Sequence, residues 1–299
     1  MGMLPSINSD FQKGKQQCAA EFFQEICRAL GYKTSEYQNS GFIPQHIDLS
    51  FLKMFFFNLR SEVLCLTCNN VSCNSTMETL RPLPLEKSLT LQQLIDDHSK
   101  PVQLETPYMC SNSETFTSIS YTSLDILFTC NCQHQTEAWE RFVFGKLPAI
   151  ICLQLMRFSY TDKKLQHMVK YDDMMQLCEM QTPEKSQSIE ISRVSYKLVA
   201  VVVHIGDKLF SGHCVCYMKR NGSWYFADDT HIKRCSTFEA INQKAYLVFY
   251  ERDVSDDPLV EISQGISSFS IPSDTEQQPV ILQSHETIQV QHGTPLSFM

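Results

Sequence analysis

Over residues 15–31 apolar side chains recur at three- and four-residue steps. Ala19, Phe22, Phe23, Ile26 and Leu30 share one face, and Gly31 follows as a stop, so the pattern predicts an amphipathic helix. Thr90 to His98 repeats the pattern on a smaller scale, with Leu91, Leu94 and Ile95 inward. Between them, residues 42–60 are dense in phenylalanine and read as irregular structure leading into a strand around Glu62 to Leu66. Two prolines within Leu80 to Leu85 forbid helix and predict an extended segment. From Phe142 onward the pattern predicts strands at Ala149 to Met156, Tyr196 to His204, His213 to Met218, Trp224 to Ala227 and Ala245 to Tyr250. Helix first and antiparallel strands later indicate an α+β fold.

Composition supports a packed body, with 43% hydrophobic and 19% charged residues in 299. No apolar run is long enough for a membrane-spanning helix. A net charge of -8 without a clustered basic face argues against nucleic acid as a partner. From Asp253 to the end there are seven acids and neither Lys nor Arg, so nearly all of that charge sits in the tail. The tail is rich in Ser, Gln and Pro and has no period. The chain therefore divides into a folded domain over 1–252 and an acidic tail over 253–299, expected to be disordered. Thirteen cysteines, an odd number, come without an export signal and disfavour a disulfide framework; cytoplasmic or nuclear placement is expected.

Chemistry concentrates in two places. Ser211-Gly212-His213 is followed by Asn221-Gly222, a hairpin signal, and then by Trp224-Tyr225-Phe226-Ala227-Asp228-Asp229. A cysteine nucleophile needs a nearby imidazole, and that imidazole needs a partner to fix its tautomer. Two adjacent antiparallel strands would give His213 such a partner in Asp228, with Asp229 as an auxiliary polar group. The plainer reading is a surface histidine beside a solvated turn. The second place is Cys65-Leu66-Thr67-Cys68, a C-x-x-C pair suited to half of a tetrahedral metal site.

Four segments, in order, resemble the ubiquitin-specific protease family. They are Gln16-Gln17-Cys18-Ala19-Ala20-Glu21-Phe22, with Cys18 where the family has Asp; Cys65-Leu66-Thr67-Cys68; Leu147-Pro148-Ala149 through Leu155-Met156-Arg157-Phe158; and the run from Tyr196 through Ser211-Gly212-His213 and Trp224 to Asp229, ending in Ala245 to Tyr250. The resemblance implies a papain-like α+β fold with palm, fingers and an incomplete thumb. It implies cleavage of the bond after the ubiquitin C-terminal glycine, with His213 and Asp228 catalytic and Asp229 auxiliary, and ubiquitin or ubiquitinated proteins as partners. It also implies structural zinc held by Cys65, Cys68, Cys130 and Cys132, with Cys73, Cys110 and His134 as alternatives. Nothing ahead of Phe11 resembles the family's Cys box, so a catalytically inactive ubiquitin-binding module or scaffold is the alternative. Without the box's helix, strands 147–156 and 196–204 are expected to expose apolar faces. Arg157 is read as structural, tying a strand end to carboxylates.

Overall fold

The computed structural model describes residues 8, 11, 17–28, 54–85, 90–110, 115–116, 128–129, 135–158, 163–181, 189–208, 211–255 and 259–263. Helix α1 runs over residues 19–28, α2 is Leu91–Ser99 and α3 is Thr237–Ile241. The strands, in chain order, begin with β1 Phe57–Cys65, β2 Val71–Glu78, β3 Arg81–Pro84, β4 Val102–Gln103, β5 Tyr108–Met109, β6 Thr115–Phe116 and β7 Phe128–Thr129. They continue with β8 Gln135–Thr136, β9 Ala138–Phe144, β10 Ile150–Met156, β11 Met174–Gln181, β12 Ile189–Lys208 and β13 Ser211–Arg220. The last four are β14 Ser223–Asp228, β15 His231–Cys235, β16 Leu247–Arg252 and β17 Leu259–Ser263.

The predicted helices and strands are present among the described residues, with limits that follow local chemistry; residues 29–53 lie outside them, and of the tail expected to be disordered, Leu259–Ser263 forms a strand on β12 while 264–299 lie outside the described residues. Thr90 and Ser236 each cap a helix through a reciprocal capping box, with Gln93 and Glu239 reaching back to the cap amide. The prolines of β3 are accommodated because that strand is paired, in parallel, with β10 alone. The strand expected around Glu62 to Leu66 starts earlier, at Phe57, because Phe57 and Leu59 alternate into the core.

The main sheet follows the order β15-β14-β13-β12-β11-β9-β1-β2, with β3, β4, β10, β16 and β17 branching from it. The 20-residue β12 is its hub and pairs antiparallel with β11, β13, β16 and β17. The principal core collects Ile151, Leu153 and Leu155 of β10, Tyr196, Leu198 and Val201 of β12, Trp224 of β14, and Leu91 and Leu94 of α2. Full burial of such side chains contributes about 1.5–3 kcal/mol each. The expected exposed faces do not occur, since Ile151, Cys152, Leu153 and Leu155 are 0% exposed, as are Leu198 and Val201. The reason is α1. Its Ala20 and Phe23 pack on Cys152, Tyr246 and Leu247, and the Phe23 ring meets the Phe249 ring edge-on at 5.3 Å.

Two buried charges hold the scaffold. Glu62 is wholly buried between Arg141, which donates from Nε to Oε2 at 2.8 Å, and Arg60, whose Nε lies 3.0 Å from Oε1. Two guanidiniums on one carboxylate offset the desolvation that an unpaired buried charge would suffer. Arg157 is 1% exposed. Its partners are backbone carbonyls rather than the expected carboxylates. It donates to Ala245 at 2.5 Å, to Leu165 at 3.2 Å and to His167 at 2.9 Å. Burial lowers its pKa to about 10. A five-donor fork serves several carbonyls at once.

Arg157→Met should therefore lower folding stability by about 3 kcal/mol, since it strands buried acceptors and opens space. Urea denaturation followed by circular dichroism measures this. An unchanged midpoint would remove Arg157 from the scaffold.

Candidate active site and cysteine cluster

The hairpin of β13 and β14 turns at Asn221 and Gly222, with φ of 49° and 75°, the two positive values a type I′ turn requires. The ladder runs from Arg220↔Ser223 to Cys216↔Ala227. One step further, Asp228 stands across from Val215, so His213 is its diagonal neighbour on the same face. The sequence reading expects the two side by side; the register makes the pair diagonal. His213 Nε2 and Asp228 Oδ1 are 2.6 Å apart, and Asp229, in the left-handed region at φ 48°, completes a group whose polar atoms lie within 4.8 Å of one another. Both paired side chains are about two-fifths exposed, at 42% and 43%.

β12 arranges the other side of His213. Ile205 pairs with His213, then the register shifts in a bulge before Lys208↔Ser211. Gly206 occupies φ 118° within it. A Cβ on Gly212 would lie 2.2 Å from the Ile205 carbonyl oxygen and 2.6 Å from His204 Cε1, so the residue before His213 must be glycine. His204 is buried beneath, edge-on to Phe158 at 5.2 Å.

The hydrogen bond to Asp228 raises the His213 pKa above the ordinary imidazole value. Desolvation opposes it, and the charges of Asp228 and Asp229 reinforce it. With neutral His213, Asp228 selects the Nε2–H tautomer and leaves Nδ1 as a base. Among the described residues, Asp228 is the hydrogen-bond partner of the ring, and none of the described cysteines bonds to it. Cys18 instead lies 2.8 Å from the Tyr246 hydroxyl. Cys214 is the cross-strand partner of His204, and burial raises its pKa, away from a thiolate.

The second cluster is at the far end of β1. Cys65 ends that strand, Cys68 follows in the turn, and Cys110 follows β5. Their sulfurs lie within 4.8 Å of one another, and Cys68 Sγ to Cys110 Sγ is 3.8 Å. A tetrahedral ion with sulfur ligands at about 2.3 Å has sulfur–sulfur edges of about 3.8 Å, so this set could hold a metal ion. Burial raises the Cys65 pKa, but the amides of Cys68 and Thr67 and the side chains of Cys68 and Thr136 outweigh it, so the thiol lies below its ordinary value. Cys110, an alternative in the sequence, thus joins Cys65 and Cys68. Cys73 is exposed and accepts from Arg60 instead. Cys130, Cys132 and His134 lie outside the described residues.

A mixed sheet with an imidazole–carboxylate pair on a hairpin, a glycine-cleared bulge beside it and a cysteine-tipped pair of strands defines a papain-like domain of the ubiquitin-specific protease type. The profile described as ubiquitin carboxyl-terminal hydrolase matches residues 1–250, and the chain belongs to that family. Ubiquitin carboxyl-terminal hydrolase 36 of Drosophila melanogaster is 26% identical over 289 residues, 92% of this chain and 26% of the relative. The Drosophila mojavensis protein of the same name is 26% identical over 264 residues, 87% of this chain and 20% of the relative. The chain thus spans about a quarter or less of the length of these relatives. The fold is similar to the structure of the SAGA Ubp8/Sgf11/Sus1/Sgf73 DUB module bound to ubiquitin aldehyde. The TM-score is 0.64 at 22% identity, covering 83% of this chain and 52% of that one.

The raised His213 pKa has a testable sign. A folded pKa above the ordinary 6.5 stabilises the fold fully below that pH, and the contribution is lost as pH climbs through the raised value. Asp228→Asn should move the His213 midpoint downward in an NMR titration of the imidazole; a midpoint indifferent to that change would dissolve the pair.

Proposed function

We propose that this chain is the ubiquitin-engaging and base-bearing part of a cysteine-type deubiquitinase. His213 serves as general base and acid through Nδ1, and Asp228 orients it through Nε2. Asp229 adds negative charge beside the pair. The observation that carries the reading is the 2.6 Å His213–Asp228 contact in a domain of this family. The chemistry is acyl transfer. A thiolate attacks the carbonyl after the ubiquitin C-terminal glycine, the imidazolium returns its proton to the leaving amine, and water repeats the sequence on the thioester.

The described residues put no thiol on the His213 ring, which favours a chain that binds ubiquitin and does not turn it over by itself. Loss of one triad member removes most of the rate while binding surfaces persist. The protein bound in the similar structure is ubiquitin aldehyde, which supports ubiquitin as the partner. Zinc is the ion we assign to Cys65, Cys68 and Cys110, because an all-thiolate set at tetrahedral spacing suits it. Its fourth ligand would come from Cys130, Cys132 or His134. Zinc bound there would join the end of β1 to the paired strands β5 and β8.

Two measurements test this. Elemental analysis of protein purified without chelator should give about one zinc per chain, and Cys65→Ser with Cys68→Ser should abolish it. Metal-free protein of unchanged stability would leave the cysteines as ordinary thiols. The chain should bind ubiquitin by NMR titration without labelling by a thiol-reactive ubiquitin probe. Labelling should appear when a Cys-box segment of the family is fused in frame ahead of Met1. Labelling of the unfused chain that Cys18→Ser or Cys214→Ser removes would name a different nucleophile.

A further inference from the structure

Lys164 stands outside every motif in the sequence, yet it reaches into the strand bulge beside His213. Its Nζ donates to the carbonyl of His204 at 2.7 Å and to that of Gly206 at 2.6 Å, and lies 3.4 Å from His204 Nδ1. Those carbonyls flank the irregular step of β12, where regular pairing with β13 breaks between Ile205 and Lys208. A bulge deprives backbone groups of ladder partners, and a charged donor satisfies them more strongly than a neutral one. Lys164 is itself held from below. It bridges to Phe158, the residue after buried Arg157, and Leu165 donates to the Arg157 carbonyl at 2.6 Å. The ammonium also lies 5.8 Å over the Phe158 ring.

From the same atoms the path to His213 is short. Gly212 packs against the Ile205 carbonyl and the His204 ring with no room for a methyl group. Ile205 is the ladder partner of His213. Whatever fixes residues 204–206 therefore fixes the backbone on both sides of the imidazole. The charge of Lys164 is not among the influences on His213, whose electrostatics come from Asp228 and Asp229. So the effect passes through geometry and not through the field.

We propose that Lys164 is a positioning residue for His213: by clamping the His204 and Gly206 carbonyls it holds the bulge that aims the imidazole at Asp228. The proposal rests on the reading of that pair as the catalytic base. A pair 2.6 Å apart on exposed strands has little packing of its own to keep it aligned, and small displacements cost a base much of its efficiency.

The test uses the full 299-residue chain with labelled histidine. Lys164→Met keeps the stem and removes the donors. The His213 Nε2–H resonance should be lost and the imidazole midpoint should fall toward the ordinary value. Lys164→Arg, which restores charged donors, should recover the resonance. In a chain fused to the Cys-box segment, Lys164→Met should lower kcat at least tenfold with KM little changed. Should Lys164→Met not fold, Lys164→Gln, which keeps one donor, should give an intermediate midpoint. A Met or Gln variant with wild-type His213 spectrum and titration overturns the proposal, whatever its melting temperature. Asp228→Asn separates the two levels: if it too leaves His213 unmoved, the base pair itself is wrong, whereas a response to Asp228→Asn with none to Lys164→Met refutes the clamp alone.

Discussion

The structure depends on β12 being paired on both sides and then being forced to stop. Through most of its 20 residues it is bonded to β11 and β17 near its start and to β13 and β16 further on, which fixes its register four times over. A one-residue slip would turn Leu198 and Val201 away from the core, so the strand cannot adjust. At Gly206 the pairing breaks. There Lys164 meets the His204 and Gly206 carbonyls, and Gly212 passes without a side chain. A rigid strand with a local irregularity near its end gives His213 a precise place on the partly exposed neighbouring strand.

Much of this was legible in the sequence. The Asn221-Gly222 turn, Gly212 ahead of His213 and the aspartates at the end of β14 are local signals, and each follows from φ sign or steric room. The extended Leu80 to Leu85 segment and the Thr90-capped helix are local too. What escaped was non-local. β11 alternates Met175, Leu177 and Glu179 inward. A glutamate on the buried face hides the pattern, and it belongs there because its carboxylate accepts the Leu147 amide at 2.8 Å. β2 has no readable face, since its side chains are exposed or half-exposed all along. Cys110 joins Cys65 and Cys68 only through the folding of β5 against β8, which no spacing reveals. Arg157 was correctly read as a scaffold residue with the wrong partners, because carbonyls carry no sequence signal.

The two charged arrangements obey opposite rules. Glu62 is sealed away, so its charge must be matched inside the fold, and Arg60 and Arg141 do so from its two oxygens. His213 and Asp228 are open to water, so their contact does little for stability and the imidazole can exchange its proton with solvent. A structural ion pair and a pair suited to proton transfer are thus told apart by exposure before any motif is consulted.

The replacement of the family's Asp by Cys18 has a consequence at the junction of α1 and the palm. Cys18 precedes the first turn of α1 and accepts the Phe22 amide on its carbonyl, while its sulfur meets Tyr246. Tyr246 also accepts from Gln154 at 3.0 Å, and burial raises its pKa, so its hydroxyl stays protonated. A carboxylate in this position would carry a full charge onto a face built from Cys152, Leu247 and Phe249, where only a hydroxyl and an amide lie near. The thiol removes that desolvation cost and packs as a small apolar group with one weak hydrogen bond. It thereby lets α1 pack on Cys152, Tyr246 and Leu247.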